Sequence, residues 1–296
     1  MTEHLIHIGY PKTGSNFLRR WFEMHPQLAY TLGGIAGYQN VYAMVRDIAG
    51  TATPPLAHVT SAEAFVTPHI SFGLEQVDHD AAVQNMLTSQ LAGSKLLSGL
   101  FPNAHILLVT RGFRAMALST YSQTARDGTP SSLEKFCRDI TRVNLLDYDA
   151  VIAYYRAAFG ADRVIILPYE LLRDNPSAFL RKISDIFGMY ELAPPPHRDN
   201  PSLSGVEMAW YPRISGAIRA LPLPKQIIHA LTRVYDKLCH TNRLRRLIKL
   251  LQWVHPIAPV GESDITDAML SSKIKAPASL RHDPNYQAYL ADYFLA

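Results

Sequence analysis

Three short apolar runs in the first two thirds of the chain have the character of buried β-strands. They cover residues 5–9, 105–110 (HILLVT) and 163–168 (RVIILP), and continuous apolar runs of this length are typical of strands covered on both faces. The first run is followed by a turn containing Gly and Pro, and then by apolar residues at helical spacing as far as Pro26. The second leads into RGFRAMALSTYS, which has the same period. A strand followed by a helix is therefore a recurring unit.

Strands that alternate with helices predict an α/β fold, here a P-loop-like parallel sheet flanked by helices. A helical stretch from about 133 to 159 precedes the third strand, and Gly160 follows it where a helix C-cap is expected. Because right-handed crossovers bring the carboxyl ends of parallel strands to one edge, we expect a ligand site along that edge. We assign this core to residues 1–205, and a helical, basic C-terminal extension packed on it to residues 206–296.

The extension differs from the core in charge. The chain has a net charge of +4, yet residues 213–249 hold nine Lys and Arg against one acid, Asp236, which leaves 20 basic and 24 acidic residues elsewhere. Prolines at positions 212, 222, 224, 256 and 259 are expected to break its helices. Such a basic segment indicates either a solvated helical face or contact with something anionic. The stretch LRRLIKLLQWV has the composition of helices that bind anionic membrane surfaces.

Composition excludes several classes of protein. With 296 residues, 48% apolar and 18% charged, the chain can build a hydrophobic core without disulfides. Its two cysteines, Cys137 and Cys239, form neither a disulfide framework nor a zinc motif, which favours a reducing compartment. There is no long apolar segment and no export signal, so we predict a cytoplasmic protein, with peripheral contact at the inner face of the membrane left open. An acidic body without a recognition motif argues against nucleic acid.

The segment GYPKTGS, residues 9–15, lies where a phosphate-binding loop belongs, between the first strand and the first helix. Main-chain N–H groups and a helix N-terminus attract anions there. The nucleoside triphosphate loop GxxxxGK[ST] requires Lys directly after its second Gly. Here Ser15 follows Gly14, and the only lysine, Lys12, lies inside the loop. We therefore expect an anion site that needs no metal, although a Gly-rich turn with a solvent-facing lysine would also explain the pattern.

A second anion site is indicated by Arg111, at the end of the HILLVT strand, and by Ser119 eight residues later. A guanidinium offers a planar pair of donors to phosphate oxygens, and a hydroxyl adds a neutral donor. Each residue alone is common, since serines in helices usually face solvent or their own backbone. The combination with the loop is what makes the signal specific.

The two elements together resemble the sulfotransferases that use 3′-phosphoadenosine 5′-phosphosulfate (PAPS). In that family the 5′-phosphosulfate loop reads like YPKTGS, and an Arg and a Ser at this eight-residue spacing bind the 3′-phosphate. The segments SQTARDGTPSSLEKF and YDAVIAYYRAAFGADRVIILPYELLRDNPSAFLRKISDIFG are similar to bacterial carbohydrate or lipid-glycan sulfotransferases. The resemblance spans about residues 4–205 and is poor from about 27 to 90.

The resemblance implies that PAPS is the co-substrate, that PAP is the product, and that the acceptor is a hydroxyl of a glycan or glycolipid. The residues it places around the 5′-phosphosulfate are Lys12, Thr13, Gly14, Ser15 and Asn16, with Lys12 facing the oxygen between phosphorus and sulfur. Those it places at the rest of the nucleotide are Arg111 and Ser119 at the 3′-phosphate, Phe17 against adenine, and Tyr169. Phe17 would equally serve as the first core residue of its helix.

In-line sulfuryl transfer needs a cation at the leaving oxygen and a base for the acceptor hydroxyl. Related sequences have a strand ending in Ile-Ser followed two residues later by Glu, but here that place holds Gly73. Glu75 is our first candidate for the base and His69 the second, although a surface acid or a capped histidine would explain either residue. The other candidates in this segment are Asp78, His79 and Asp80. His7, on the first strand, is interpreted as a packed core residue.

Two other interpretations remain open at this point. One is a small-molecule kinase that uses ATP and Mg²⁺, and the other is a non-catalytic binder of anionic or membrane surfaces that acts through residues 213–249. Arg198 and residues 200–204 are a candidate lid over the nucleotide, or else an ordinary polar linker. The C-terminal RHDPNYQAYLADYF faintly resembles the closing helix of the bacterial family, interrupted by Pro284.

Overall fold

The computed structural model describes residues 3–47, 55–67, 79–129, 131–142, 146–196, 203–241, 243–270 and 274–295. Five strands form one sheet: β1 (Glu3–His7), β2 (Leu28–Tyr30), β3 (Ala57–Ser61), β4 (His105–Thr110) and β5 (Val164–Pro168). Their order is β2-β3-β1-β4-β5, and every neighbouring pair is parallel. The predicted parallel sheet is confirmed, and its first strand lies at the centre.

Helices occupy the connections between strands and most of the C-terminal third. They are α1 (Ser15–Met24), α2 (Val41–Asp47), α3 (His79–Leu100), α4 (Phe113–Arg126), α5 (Leu133–Arg142), α6 (Tyr148–Phe159), α7 (Tyr169–Asp174), α8 (Pro176–Phe187), α9 (Gly205–Arg219), α10 (Lys225–His240), α11 (Arg245–Val254), α12 (Asp267–Leu270) and α13 (Leu290–Tyr293). No helix within the described ranges is both long enough and apolar enough to cross a bilayer.

The sheet is covered on both faces, as the continuous apolar strands predict. One core contains Leu5 and Leu107 of the strands together with Trp21 of α1 and Phe179 of α8. The other contains alternate strand residues, such as Ile106, and side chains from α3, α4 and α6. Strand residues alternate between the two cores because successive side chains point to opposite faces of a sheet.

The structure corrects three sequence expectations. Strands β2 and β3 fall in the region of poor resemblance, and the sequence did not predict them. The stretch 133–159 is two helices, because Asp147 caps the second by accepting from the Ala150 main-chain N–H at 3.1 Å. Pro212 lies inside α9 and does not end it, whereas Pro224 is the N-cap residue of α10.

Residues of the C-terminal third share a core with the sheet. Tyr211, Tyr235, Ile248 and Tyr293 are buried in the same cluster as Ile106 of β4. The chain from α9 onward therefore contributes to the core that covers one face of the sheet.

Candidate active site

The loop between β1 and α1 has a backbone that only particular residues tolerate. Gly14 is the N-cap of α1 with φ +86°, and a Cβ there would lie 2.6 Å from Leu172 Cδ2. Lys12 also has a positive φ, of 68°, and the Thr13 hydroxyl donates to the Tyr10 carbonyl at 2.5 Å. The Ser15 hydroxyl, at the start of the helix, is buried without a hydrogen-bond partner among the described residues. A helix N-terminus with an unused donor is suited to an anion.

Lys12 is partly buried among charged side chains. Its ammonium is 3.5 Å from Gln123 Oε1 of α4. Burial lowers the pKa of Lys12, and the charges of Arg126 and Arg111 lower it further, against the opposing effect of Glu63 and Asp127. A bound anion would relieve this repulsion, so the loop is electrostatically prepared for one.

Arg111 brings the two predicted anion sites together. Its guanidinium donates to the Lys12 carbonyl at 2.7 Å and stacks over the Tyr169 ring at 4.5 Å. The Arg111 Nε is buried without a partner in the described part of the chain. The end of β4, the first loop and the start of α7 therefore meet at one place on the carboxyl edge of the sheet.

The remaining predicted nucleotide residues lie on the flanking helices. Ser119 is in α4, one turn before Gln123, and is nearly buried. Asn16 is exposed on α1 and accepts from Arg19 at 3.5 Å. Phe17 is half-buried and packs against the core around α1, which is the packing role that its sequence position allowed.

Both leading candidates for the base, Glu75 and His69, lie outside the described residues, as does Asp78. His79 and Asp80 begin α3, but their side chains are not described. Arg198 and residues 200–202 of the candidate lid also lie outside. These assignments remain predictions.

The structure draws attention to an acid that the sequence interpretation passed over. Strand β3 ends at Ser61, and Glu63 follows two residues later, which is the strand-end spacing described for related sequences. Glu63 Oε1 is 3.9 Å from Arg19, its side chain is 32% exposed, and its charge acts on Lys12. The segment VTSAE carried the signal, but β3 had not been recognised as a strand.

His7 lies beneath the loop. Its Nδ1 shares a hydrogen bond of 2.8 Å with Ser61 Oγ, while its Nε2 is buried without a partner among the described residues. A Cβ on Gly9 would lie 2.7 Å from that nitrogen. Burial lowers the pKa of His7 to about 3, so the ring is neutral and packed at ordinary pH.

A buried hydrogen-bond network fixes the main chain on both sides of Arg111. The Tyr148 hydroxyl donates to the Arg111 carbonyl at 2.5 Å. The Glu170 carboxyl, whose pKa is raised by burial, accepts from the Gly112 N–H at 3.0 Å and from the Tyr293 hydroxyl at 2.8 Å. The Thr110 hydroxyl in turn donates to Tyr293 at 3.1 Å. The last helix of the chain thus supports the turn that presents Arg111.

The described residues contain no group of three or more His, Cys, Asp or Glu that could hold a metal ion. An open cleft lies on α1 close to the Arg19–Glu63 pair. Its lining residues are Asn16, Arg19, Arg20, Glu23 and Leu32. The cleft therefore begins at a predicted phosphosulfate ligand, and four of its five lining side chains, all except Leu32, are polar or charged.

Comparison with known proteins identifies one family model, described as "Sulfotransferase family", which matches residues 5–191. The crystal structure of a sulfotransferase from Alicyclobacillus acidocaldarius is 15% identical, with a TM-score of 0.48, covering 73% of this chain and 94% of that one. Mouse sulfotransferase SULT7A1 complexed with PAP is 12% identical, with a TM-score of 0.34, covering 76% of this chain and 69% of that one. No curated protein sequence is significantly similar.

Proposed function

Because the chain belongs to the sulfotransferase family, we propose that it transfers the sulfuryl group of PAPS to a hydroxyl of a carbohydrate or glycolipid acceptor. One observation carries the proposal: the Arg111 guanidinium donates to the Lys12 carbonyl at 2.7 Å. Two sequence-distant cationic sites are adjacent, as one nucleotide with anionic groups at both its 3′ and 5′ positions requires.

Buried polar atoms without hydrogen-bond partners support the proposal that such a nucleotide binds here. The Ser15 hydroxyl and the Arg111 Nε are buried without partners among the described residues, and buried donors without partners are costly unless a ligand satisfies them. Ser15 begins α1, so its hydroxyl and the helix N-terminus suit the 5′-phosphosulfate. Arg111, together with Ser119, suits the 3′-phosphate, and Tyr169 lies against the Arg111 guanidinium.

When bound, PAPS supplies the sulfuryl group, and PAP is the leaving product. The contribution of Lys12 is a cation held near the point where negative charge develops on the leaving oxygen. Positioning and preorganised charge account for most of the acceleration in such transfers. Burial and its arginine neighbours lower the pKa of Lys12, and an anionic nucleotide opposes that effect and so favours the charged form of the lysine.

The acceptor hydroxyl must lose its proton to a nearby base. Glu75 and His69 remain the sequence candidates. The described geometry favours Glu63, since its charge reaches Lys12 and it pairs with Arg19 at the edge of the α1 cleft. Carboxylate, amide and guanidinium groups in this cleft are suited to hydrogen bonding with the hydroxyls of a sugar.

We also propose that this reaction takes place in the cytoplasm. Cys137 and Cys239 are buried thiols without a disulfide, which is typical of reducing compartments. A peripheral position would give access to glycolipid acceptors.

Calorimetric titration with PAP tests the proposal. We expect wild type to bind PAP, and Arg111→Ala to weaken binding by about tenfold or more, since it removes a charge-assisted contact. Lys12→Ala should lower turnover about 100-fold or more, because a transition-state contact is lost. Lys182→Ala, which changes an exposed lysine on α8, is the matched control and should bind normally.

Absence of PAP binding by wild type, or full affinity in Arg111→Ala, would overturn the proposal. Preference for ATP over PAP, lost when EDTA is added, would favour the kinase interpretation instead.

A further inference from the structure

Helix α11 presents apolar side chains to solvent on the side opposite its buried face. Ile248 is buried at 2% exposure, whereas Leu250, Trp253 and Val254 are 56%, 81% and 67% exposed. Surface helices of globular proteins normally turn their apolar stripe toward the core. A second apolar stripe that faces outward is therefore left over after folding.

Helix α10 also exposes an apolar stripe, here beside its buried face rather than opposite it. Tyr235 and Cys239 are buried, while Ile227, Leu231 and Val234 are exposed at a spacing that places them on one stripe. We call the exposed sides of α10 and α11, together with Arg243 in the turn between them, the outer surface. Scattered exposed apolar residues need no explanation, but stripes on two consecutive helices indicate an interaction site.

The outer surface also carries cations that the fold does not use. Six exposed Lys and Arg have no ionic partner in the part of the chain that the structure describes. They are Lys225, Arg233, Lys237, Arg243, Arg246 and Lys249. By contrast, Arg245 pairs with Glu207 at 2.8 Å, and Arg219 donates to the Gly128 carbonyl at 3.2 Å. Arg245 and Arg219 therefore stabilise the fold, whereas the six cations listed above do not.

We propose that the outer surface docks on an anionic lipid bilayer. Apolar stripes flanked by Lys and Arg, with an exposed Trp, are typical of helices that lie in the headgroup region. Lys and Arg side chains near an anionic membrane surface are attracted to it. Solvation would explain the cations alone, but it leaves Trp253 and Leu250 unexplained.

A second copy of this chain fits the outer surface less well. A two-fold symmetric interface places the same patch against itself, so six unpaired cations would face six others. An anionic lipid surface neutralises those charges and accepts the apolar side chains at the same time.

A short series of side-chain contacts connects the outer surface to the loop that carries Lys12. His240, at the end of α10, is 3.3 Å from Asp127 Oδ1, and that oxygen accepts from Gln123 at 3.0 Å. Gln123 in turn contacts Lys12. If the proposed sulfotransfer holds, a docked enzyme would meet acceptors attached to lipids; the docking itself does not depend on it.

Co-sedimentation with vesicles tests the docking. We expect binding to phosphatidylcholine vesicles that contain phosphatidylglycerol, weaker binding at high salt, and none to phosphatidylcholine alone. Leu250→Ala/Trp253→Ala should weaken binding about tenfold or more through lost apolar burial. Arg246→Glu/Lys249→Glu should weaken it at least as much. The control Leu96→Ala/Leu100→Ala changes leucines on α3 that are 63% and 55% exposed, and should bind normally.

Thermal unfolding of each variant separates lost docking from lost folding. Lys12→Ala should sediment like wild type, so a failure of sulfotransfer and a failure of docking are distinguishable. The proposal is overturned if wild type does not bind vesicles that contain phosphatidylglycerol, or if the control loses as much binding as the outer-surface variants. It is also overturned if the only effect of those variants is to convert a dimer into a monomer.

Discussion

Lys and Arg occur both at the carboxyl edge of the sheet and on the outer surface of α10 and α11. Their surroundings differ. Arg111 is fixed by a hydrogen bond to the Lys12 carbonyl and by stacking on Tyr169. The cations of the outer surface are exposed, without an ionic partner in the described ranges. A fixed charge has already lost its rotamer freedom and suits a ligand of defined geometry. An exposed cation without an ionic partner suits a surface whose charges have no fixed positions.

The fixed charges depend on distant parts of the chain. The contact between Tyr293 and Glu170 joins residues 123 positions apart, and that between Tyr293 and Thr110 spans 183 positions. Each apolar stripe of the outer surface depends on the spacing of residues within its own helix. Single substitutions near the carboxyl edge should therefore have larger effects than those on α10 and α11.

The largest effect is expected for Glu63→Gln. Loss of a general base typically costs about 100-fold or more in turnover, while PAP affinity should be unchanged because Glu63 is not assigned to the nucleotide. The measurement is steady-state turnover beside PAP calorimetry, with Glu134→Gln on the exposed face of α5 as the matched control. If Glu75→Gln abolishes turnover and Glu63→Gln does not, the sequence candidate is right and the geometric one is wrong.

Much of the fold could be predicted because the central strands are continuous apolar runs. Strand β4 was predicted with its full extent, and Gly160 is the C-cap residue of α6 as expected. Strand β2 has only three residues. Strand β3 (AHVTS) is as long and as buried as β5, but its His, Thr and Ser interrupt the apolar run by which β5 could be recognised. Missing β3 also meant missing Glu63, since a strand end has meaning only once the strand is known.

The candidate site was predicted only where the residues lie in one local segment. The loop around Lys12 and the Arg111–Ser119 spacing are both local, and they could be read from the chain. The sequence interpretation singled out Tyr169 but not its neighbour Glu170, whose partners are Gly112 and Tyr293. No local sequence pattern indicates contacts between residues so far apart in the chain, because only tertiary packing brings these groups together.

A smaller effect is expected for Tyr293→Phe, which removes the hydroxyl that donates to Glu170. Leaving the buried carboxyl without this donor should lower the free energy of unfolding by about 1–2 kcal/mol. The turn carrying Arg111 would loosen, so PAP affinity should fall about threefold, an amount worth less than 1 kcal/mol, with little change in kcat. Denaturant unfolding and PAP calorimetry measure the two effects.

Tyr289→Phe is the matched control, since the Tyr289 hydroxyl makes no hydrogen bond within the described residues. Equal losses in the two variants would show that the network does not position Arg111.

A further effect concerns pH and again separates the two regions. His7 is buried beneath the loop with its pKa lowered to about 3, whereas His229 and His255 of the extension are exposed. A histidine whose folded pKa lies below its unfolded value of 6.5 binds its proton only in the unfolded chain across that interval. Stability should therefore fall as pH drops below 6.5, by up to about 1.4 kcal/mol per pH unit for His7.

Denaturant titrations at neutral and mildly acidic pH measure this slope. Burial also lowers the pKa of His4, to about 4, so His4 adds to the same slope. His7→Asn should therefore reduce the slope without removing it, with His255→Asn at an exposed position as the control; an unchanged slope in His7→Asn would mean that burial beneath the loop is not what makes the carboxyl edge sensitive to acid.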